Sequence, residues 1–128
     1  GTDVTVIATS WMVLHALKAA ETLASEGISC EVVDPRTLWP LDVATIASSV
    51  AKTGRCVVVT EAPAEGGWSA EACAVVMENC LADLKAPVKR VCGMRTGIPY
   101  PAHLEKAVVP DDARIAQAVR DVLERGTA

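Results

Sequence analysis

Four short apolar runs, each followed by a stretch with helical spacing, constrain this chain more than anything else in it. "VTVIAT" (4–9) leads into "WMVLHALKAAETLASEG", where Val13, Ala16, Leu17, Ala20, Leu23 and Ala24 recur at helical spacing and Gly27 offers a stop. "SCEVVD" (29–34) leads through "DPRTLWPLD" into "DVATIASSVAKTG". There Asp42 is the expected N-cap, Val43, Ile46, Ala47 and Val50 the apolar face, and Gly54 the terminator. "RCVVVTEA" (55–62) leads through "PAEGGW" into "SAEACAVVMENCLADL", with Ser69 as cap and Cys73, Val76, Met77, Cys80, Leu81 and Leu84 as one inward stripe. "VKRVCG" (88–93) precedes a segment, 94–109, that reads as irregular. "DDARIAQAVRDVLERG" follows, with Ile115, Val119, Val122 and Leu123 facing inward.

Strand and helix alternating four times define an α/β fold: a three-layer α/β/α sandwich with a mainly parallel sheet. Charge orders the strands. "VTVIAT" and "CVVVT" are nearly free of it, whereas "SCEVVD" carries Glu31 and "VKRVC" carries Lys89 and Arg90. Strands buried on both faces exclude charge and edge strands tolerate it, so the first and third are central and the order is 2-1-3-4. This is a flavodoxin-like arrangement whose switch point lies between the first and third strands. A length of 128 residues, 51% of them hydrophobic and 22% charged, fits one folded domain spanning 1–128.

The carboxyl ends of parallel strands are where such folds keep functional loops. Three corners fall there, "TSWM", "DPRTLWPLD" and "TEAPAEGGW", and each carries one of the three tryptophans: Trp11, Trp39 and Trp68. Tryptophan is enriched in interfaces, so this rim reads as a contact surface. Pro35 and Pro40 fix the middle corner locally. It is expected to present Leu38 and Trp39 for packing while Arg36 ties down the rim.

Several function classes are excluded. The net charge is −4 and no basic run exceeds Lys89-Arg90, so no nucleic-acid surface is expected. No apolar run reaches the ~18 residues a membrane helix needs, and the amino terminus has no signal-peptide pattern. The chain lacks an initiating Met and is expected to be trimmed or part of something longer. Five cysteines without a CxxC pair read as small hydrophobes in a reduced chain. Cys73 and Cys80 share a helix face but lie about 10 Å apart, too far to bridge. His15 and His103 have no partners at ligand spacing, so no metal site is expected. Gly66-Gly67 at a helix start could offer amides to a phosphate, but there is no GxGxxG and Glu65 would repel an anion. Glu61 ends the most apolar strand at the switch point. It reads as a carboxylate accepting backbone amides or pairing with an arginine such as Arg36. No nucleophile-base arrangement appears. No catalytic, cofactor-binding or metal-ligating residue is expected in this chain.

"VVDPRTLWPLD" resembles the signature of the C-terminal, transketolase-like domain in the beta subunit of thiamine-diphosphate-dependent 2-oxo acid dehydrogenases, the decarboxylating components of the pyruvate, branched-chain and acetoin dehydrogenase complexes. "TGRCVVVTEAPAEGGWSAE", "APVKRVCG", "IPYPAHLEKAVVPD" and "GTDVTVIATSWMV" resemble further blocks of that family, in its order, over practically the whole chain. "GMRTGIPYP" departs from the pattern at Arg95 and Gly97, where the family carries an acid and a proline.

The resemblance implies a parent with an additional N-terminal pyrimidine-binding domain. That parent decarboxylates a 2-oxo acid with thiamine diphosphate and Mg²⁺ and passes the acyl group to a lipoyl domain. It implies that the cofactor lies between that other domain and the alpha subunit, and that this domain alone is inactive. It also implies that this domain helps to assemble an α2β2 heterotetramer with the alpha subunit and a second beta subunit, and helps to dock the subunit-binding domain of the lipoyl acyltransferase core. The compartment implied is the bacterial cytoplasm or the mitochondrial matrix. The expected interface residues are Arg36, Leu38, Trp39, Glu61, Gly66, Gly67, Trp68 and Tyr100. Relatives of this domain add an antiparallel edge strand from upstream. Here it is expected to be missing, which leaves "SCEVVD" as an open edge.

Two rival readings remain at this stage. One is a free-standing flavodoxin-like module binding a small ligand at the switch point between Ser10 and Ala62. The other is the C-terminal domain of a single-chain transketolase or deoxyxylulose-phosphate synthase, against which the "EAP…GGW…AE" block argues.

Overall fold

The computed structural model describes residues 1–125; Gly126, which closes the last helical pattern, lies outside the described residues. Four strands, β1 (Val4–Ala8), β2 (Cys30–Val33), β3 (Cys56–Pro63) and β4 (Lys89–Gly93), pair in parallel in the order β2-β1-β3-β4. The expected order and the central places of β1 and β3 hold. All five residues of β1 are buried, whereas β4 exposes Arg90 and half-exposes Lys89. Among the described residues no strand lies beyond β2.

The helices are α1 (Met12–Ala24), α2 (Val43–Thr53), α3 (Trp68–Cys80), α4 (Ala102–Val108) and α5 (Asp112–Arg125). Side chains alternate along the central strands and feed two cores. Val4, Val6, Ala8, Val57 and Val59 pack with α1 and α5. Ile7, Cys56 and Val58 pack with α2 and α3. Both faces of each central strand are therefore dry, which is why these runs read as continuous β-branched stretches. One polar knot crosses the second core. The buried Thr5 hydroxyl lies 2.8 Å from both Ser49 Oγ and Thr53 Oγ1, so each hydroxyl has a partner.

Local signals explain the helix ends. Asp42 caps α2, its Oδ1 accepting from the Thr45 backbone N–H at 3.0 Å, and Gly54 ends the helix with its N–H on the Val50 carbonyl at 2.7 Å. The Thr45 hydroxyl, first, and its amide hold the Asp42 carboxyl below the usual range. The expected inward face of α5 also holds: Ile115, Val119 and Val122 are buried and Leu123 packs beside them.

Four expectations need correction. The segment 94–109 is not irregular throughout, because Ala102–Val108 forms α4. Only Val108 of that helix is buried, so it shows no apolar period. Ser69 does not cap α3. Gly67 takes that place, and Ser69 is buried as the second residue of the helix, its Oγ 3.4 Å from Cys92 Sγ. In α1 the buried face is Met12, Ala16, Ala19 and Leu23, so Leu17 points outward. The stripe on α3 is wider than the face it buries: Val76 and Cys80 are inside, while Met77 and Leu81 are exposed.

Candidate functional site

The carboxyl ends of the strands gather the corners that the sequence marked. In the β1–α1 corner Ser10 adopts a positive φ of 53° and turns the chain so that Trp11 stands exposed before α1. Its ring meets the His15 ring edge-on, with centroids 6.1 Å apart. His15 Nδ1 lies 3.5 Å from Asp112 Oδ1 at the start of α5, an ion pair when the imidazole is protonated. The Asp112 backbone, first, and His15 among weaker causes hold the Asp112 carboxyl below its ordinary range.

The β2–α2 corner is built by its own side chains. Asp34 Oδ1 accepts from the Arg36 backbone N–H at 3.0 Å, and Asp34 Oδ2 accepts from Arg36 Nη1 at 3.1 Å. The Thr37 hydroxyl donates to the Pro40 carbonyl at 2.8 Å, and the Trp39–Pro40 peptide is cis. Pro35 is buried and Leu41 packs on the core under α2, which leaves the tip between them standing outward. Leu38 is 51% exposed and Trp39 92% exposed, so nothing among the described residues covers the indole.

In the β3–α3 corner Gly66 has φ +68°, and a Cβ on Gly67 would lie 2.3 Å from the Pro63 carbonyl oxygen. The two glycines are required by the turn itself. Trp68, unlike Trp39, is half-buried against the core under α2 and α3, and its Nε1 is buried without a partner. Glu61 is exposed and forms no ion pair with Arg36, whose guanidinium goes to Asp34. The fourth corner, 94–101, carries Met94, Ile98 and a fully exposed Tyr100. The rim thus brings Leu38, Trp39 and Tyr100 to the surface and turns Trp68 into the core.

Sequence reasoning marked the switch point between Ser10 and Ala62 in one rival reading but missed the helix that walls it. A cavity of about 530 Å³ lies between α1, the end of β3 and α4, at the switch point, lined among others by Trp11, His15, Glu61, Glu105 and Lys106. One wall is α4, a helix without an apolar period, so no pattern announced it. No Ser, Thr or Cys lines the cavity; its polar lining is His15, Lys106 and the carboxylates Glu61, Glu105 and Asp111. Among the described residues no three His, Cys, Asp or Glu side chains gather as a metal site would require, and all five cysteines are free. The donor set does not fit a diphosphate with its Mg²⁺, because Glu65 flanks the only glycine pair at a helix start. Among the described residues no helix is long and apolar enough to cross a membrane.

Fold and rim together define an α/β sandwich domain of the transketolase type. The sequence model of the transketolase C-terminal domain matches residues 1–115, and the chain belongs to that family. Curated relatives include beta subunits of 2-oxo acid dehydrogenases. The pyruvate dehydrogenase E1 component subunit beta of Leifsonia xyli subsp. xyli is 50% identical over 119 residues, covering 93% of this chain and 35% of that one. The mitochondrial 2-oxoisovalerate dehydrogenase subunit beta of Dictyostelium discoideum is 43% identical over 126 residues, 96% of this chain and 33% of that one. The chain spans about a third of the length of these curated relatives. Among solved structures, a split-gene transketolase described as an inactive beta4 tetramer matches with a TM-score of 0.85 at 30% identity, over 98% of this chain and 41% of that one.

Proposed function

We propose that this chain is the C-terminal assembly domain of the beta subunit of a 2-oxo acid dehydrogenase decarboxylating component, and that residues 1–128 are one domain of that longer polypeptide. The parent enzyme decarboxylates a 2-oxo acid and hands the acyl group to a lipoyl domain. The domain itself carries no catalytic residue and is inactive alone. Thiamine diphosphate and Mg²⁺ belong to other parts of the parent, a reading supported by the poor fit of this donor set to either. The partners are the alpha subunit, a second beta subunit in an α2β2 tetramer, and the subunit-binding domain of the acyltransferase core. The compartment is the bacterial cytoplasm or the mitochondrial matrix.

The observation that carries this reading is the bare indole of Trp39 on a corner held by its own hydrogen bonds. A corner ordered before docking loses little conformational freedom on docking. Arg36 is then a positioning residue acting through Asp34, and Leu38, Trp39 and Tyr100 are the contact side chains. Glu61, Gly66 and Gly67 shape the rim beside them, and Trp68 supports it from beneath.

Trp39→Ala tests this. In the full parent it should weaken subunit assembly by about 2 kcal/mol or more, read by sedimentation, as for a buried interface tryptophan. The urea stability of the chain should stay within about 0.5 kcal/mol, because the side chain touches little of its own fold. Equal losses in both measurements would mean plain packing and would sink the proposal.

A further inference from the structure

The cavity of about 530 Å³ at the switch point has a mixed lining that the assembly reading leaves unused. It stands where the connections from β1 and β3 diverge, the place in a doubly wound sheet where ligands bind. Its size falls within the ~300–1,000 Å³ of small-molecule sites. Trp11, 58% exposed, together with Val109 and Pro110 gives it an apolar wall. Three carboxylates line it, Glu61, Glu105 and Asp111, against the single ammonium of Lys106. Glu61, Glu105 and Lys106 have no ion-pair partner among the described residues. Asp111 Oδ1 accepts from the Arg114 backbone N–H at 2.8 Å, at the start of α5. His15 Nδ1 is buried and, at 3.5 Å from Asp112 Oδ1, makes no hydrogen bond among the described residues. Unmatched polar groups around one cavity point to an occupant that matches them.

We infer that this cavity binds a small organic cation, a primary ammonium carried on an apolar body. The excess of carboxylates over Lys106, in a chain of net charge −4, disfavours a phosphate or an organic acid and favours a cation. A metal ion is disfavoured as well. It needs oxygen ligands converged at ~2.0–2.6 Å, and among the described residues no three His, Cys, Asp or Glu side chains gather that closely. Carboxylates spread around a cavity suit a cation with a body of its own. Its ammonium donates hydrogen bonds to Glu61 and Glu105, while its apolar part lies against Trp11, Val109 and Pro110. The inference goes beyond the assembly reading and does not rest on it, because the ligand needs no partner subunit and every residue it uses is in this chain.

The test is equilibrium dialysis of phenethylamine against the full native polypeptide in its assembled complex. Phenethylamine is a primary ammonium on an apolar ring; phenylacetate and 2-phenylethanol carry a similar body with the opposite charge and with none. Saturable binding of the amine is expected with a Kd of about 1 mM or tighter, and at least about tenfold weaker binding of both controls. Glu61→Gln with Glu105→Gln should weaken the amine at least about tenfold. Ala102→Trp, which fills the cavity from an exposed position on α4, should abolish its binding without touching the core. Raising NaCl should weaken the amine and not 2-phenylethanol, a readout that needs no variant. No saturable binding up to about 10 mM, equal binding of phenylacetate, or amine binding that survives Ala102→Trp unchanged would each overturn the inference. These outcomes are separate from those of Trp39→Ala, whose effect on subunit assembly is read by sedimentation whether or not the cavity binds an amine.

Discussion

The two outer strands of the sheet are edges of different kinds. β4 is fenced by side chains: Arg114 Nη2 donates to the Cys92 carbonyl at 3.0 Å, Arg90 reaches the Ala64 carbonyl, and Lys89 Nζ pairs with Asp121 at 2.9 Å. β2 carries one charged group, Glu31, which turns toward Lys52 on α2 and the Gly1 amine, and no strand lies beyond it among the described residues. Position in the sheet is therefore not what protects an edge. β4 is covered because α5 passes close enough to lay Arg114 and Asp121 across it; β2 packs beside α1 and α2, and Lys52 of α2 reaches its Glu31 side chain rather than its backbone.

The largest effect that would break this comparison is expected at Gly93, the last residue of β4. A Cβ there would lie 2.1 Å from the Glu61 carbonyl oxygen, where the β3–β4 register shifts between Thr60 and Pro63. Gly93→Ala should cost about 2–4 kcal/mol in urea unfolding, because backbone has to move. A loss below about 1 kcal/mol would show that this end of β4 yields as readily as a free edge.

A smaller loss is expected from removing a fence. Arg114→Ala should cost about 1 kcal/mol by leaving the Cys92 carbonyl to water. No change in the denaturation midpoint would reduce that contact to decoration. The smallest effect at neutral pH belongs to the β2 edge. Lys52, first, then Ser49 and the Gly1 amine hold the Glu31 carboxyl down at about 2, against an ordinary 4.5. A depressed carboxyl stabilises fully above its unfolded value, and that share is lost as pH falls from about 4.5 towards 2. Glu31→Gln should flatten the pH dependence of stability in that window while changing stability at pH 7 by less than about 1 kcal/mol. An unaltered slope between pH 2 and 5 would mean the pairing contributes nothing.

Much of this molecule was legible residue by residue. Glu31, Lys89 and Arg90 marked the edges because a charge cannot sit in a strand covered on both faces. Asp42 announced its helix because a cap needs only a carboxylate and an amide three residues on. The rim itself was legible from topology, since three parallel strands must deliver their corners to one side. The burial of its tryptophans was not. Trp39 stands out because Pro35 and Leu41 anchor the corner on either side of it, whereas Trp68 follows the Gly66-Gly67 turn into the core.

The sequence by itself determined the alternation of strands and helices, the strand order, the cap of α2 and the family. The first three depend on periodicity, charge and contacts within a turn or two, and the family was carried by the resemblance of blocks such as "VVDPRTLWPLD"; all of these are written locally. Only the tertiary structure decided that Ser69 turns inward to Cys92, that Met77 and Leu81 remain outside a stripe too wide for its neighbour, and that α4 walls a cavity beside Trp11. Each of those depends on how close a distant segment comes, and that distance is set by the packed volumes of side chains far apart in the sequence.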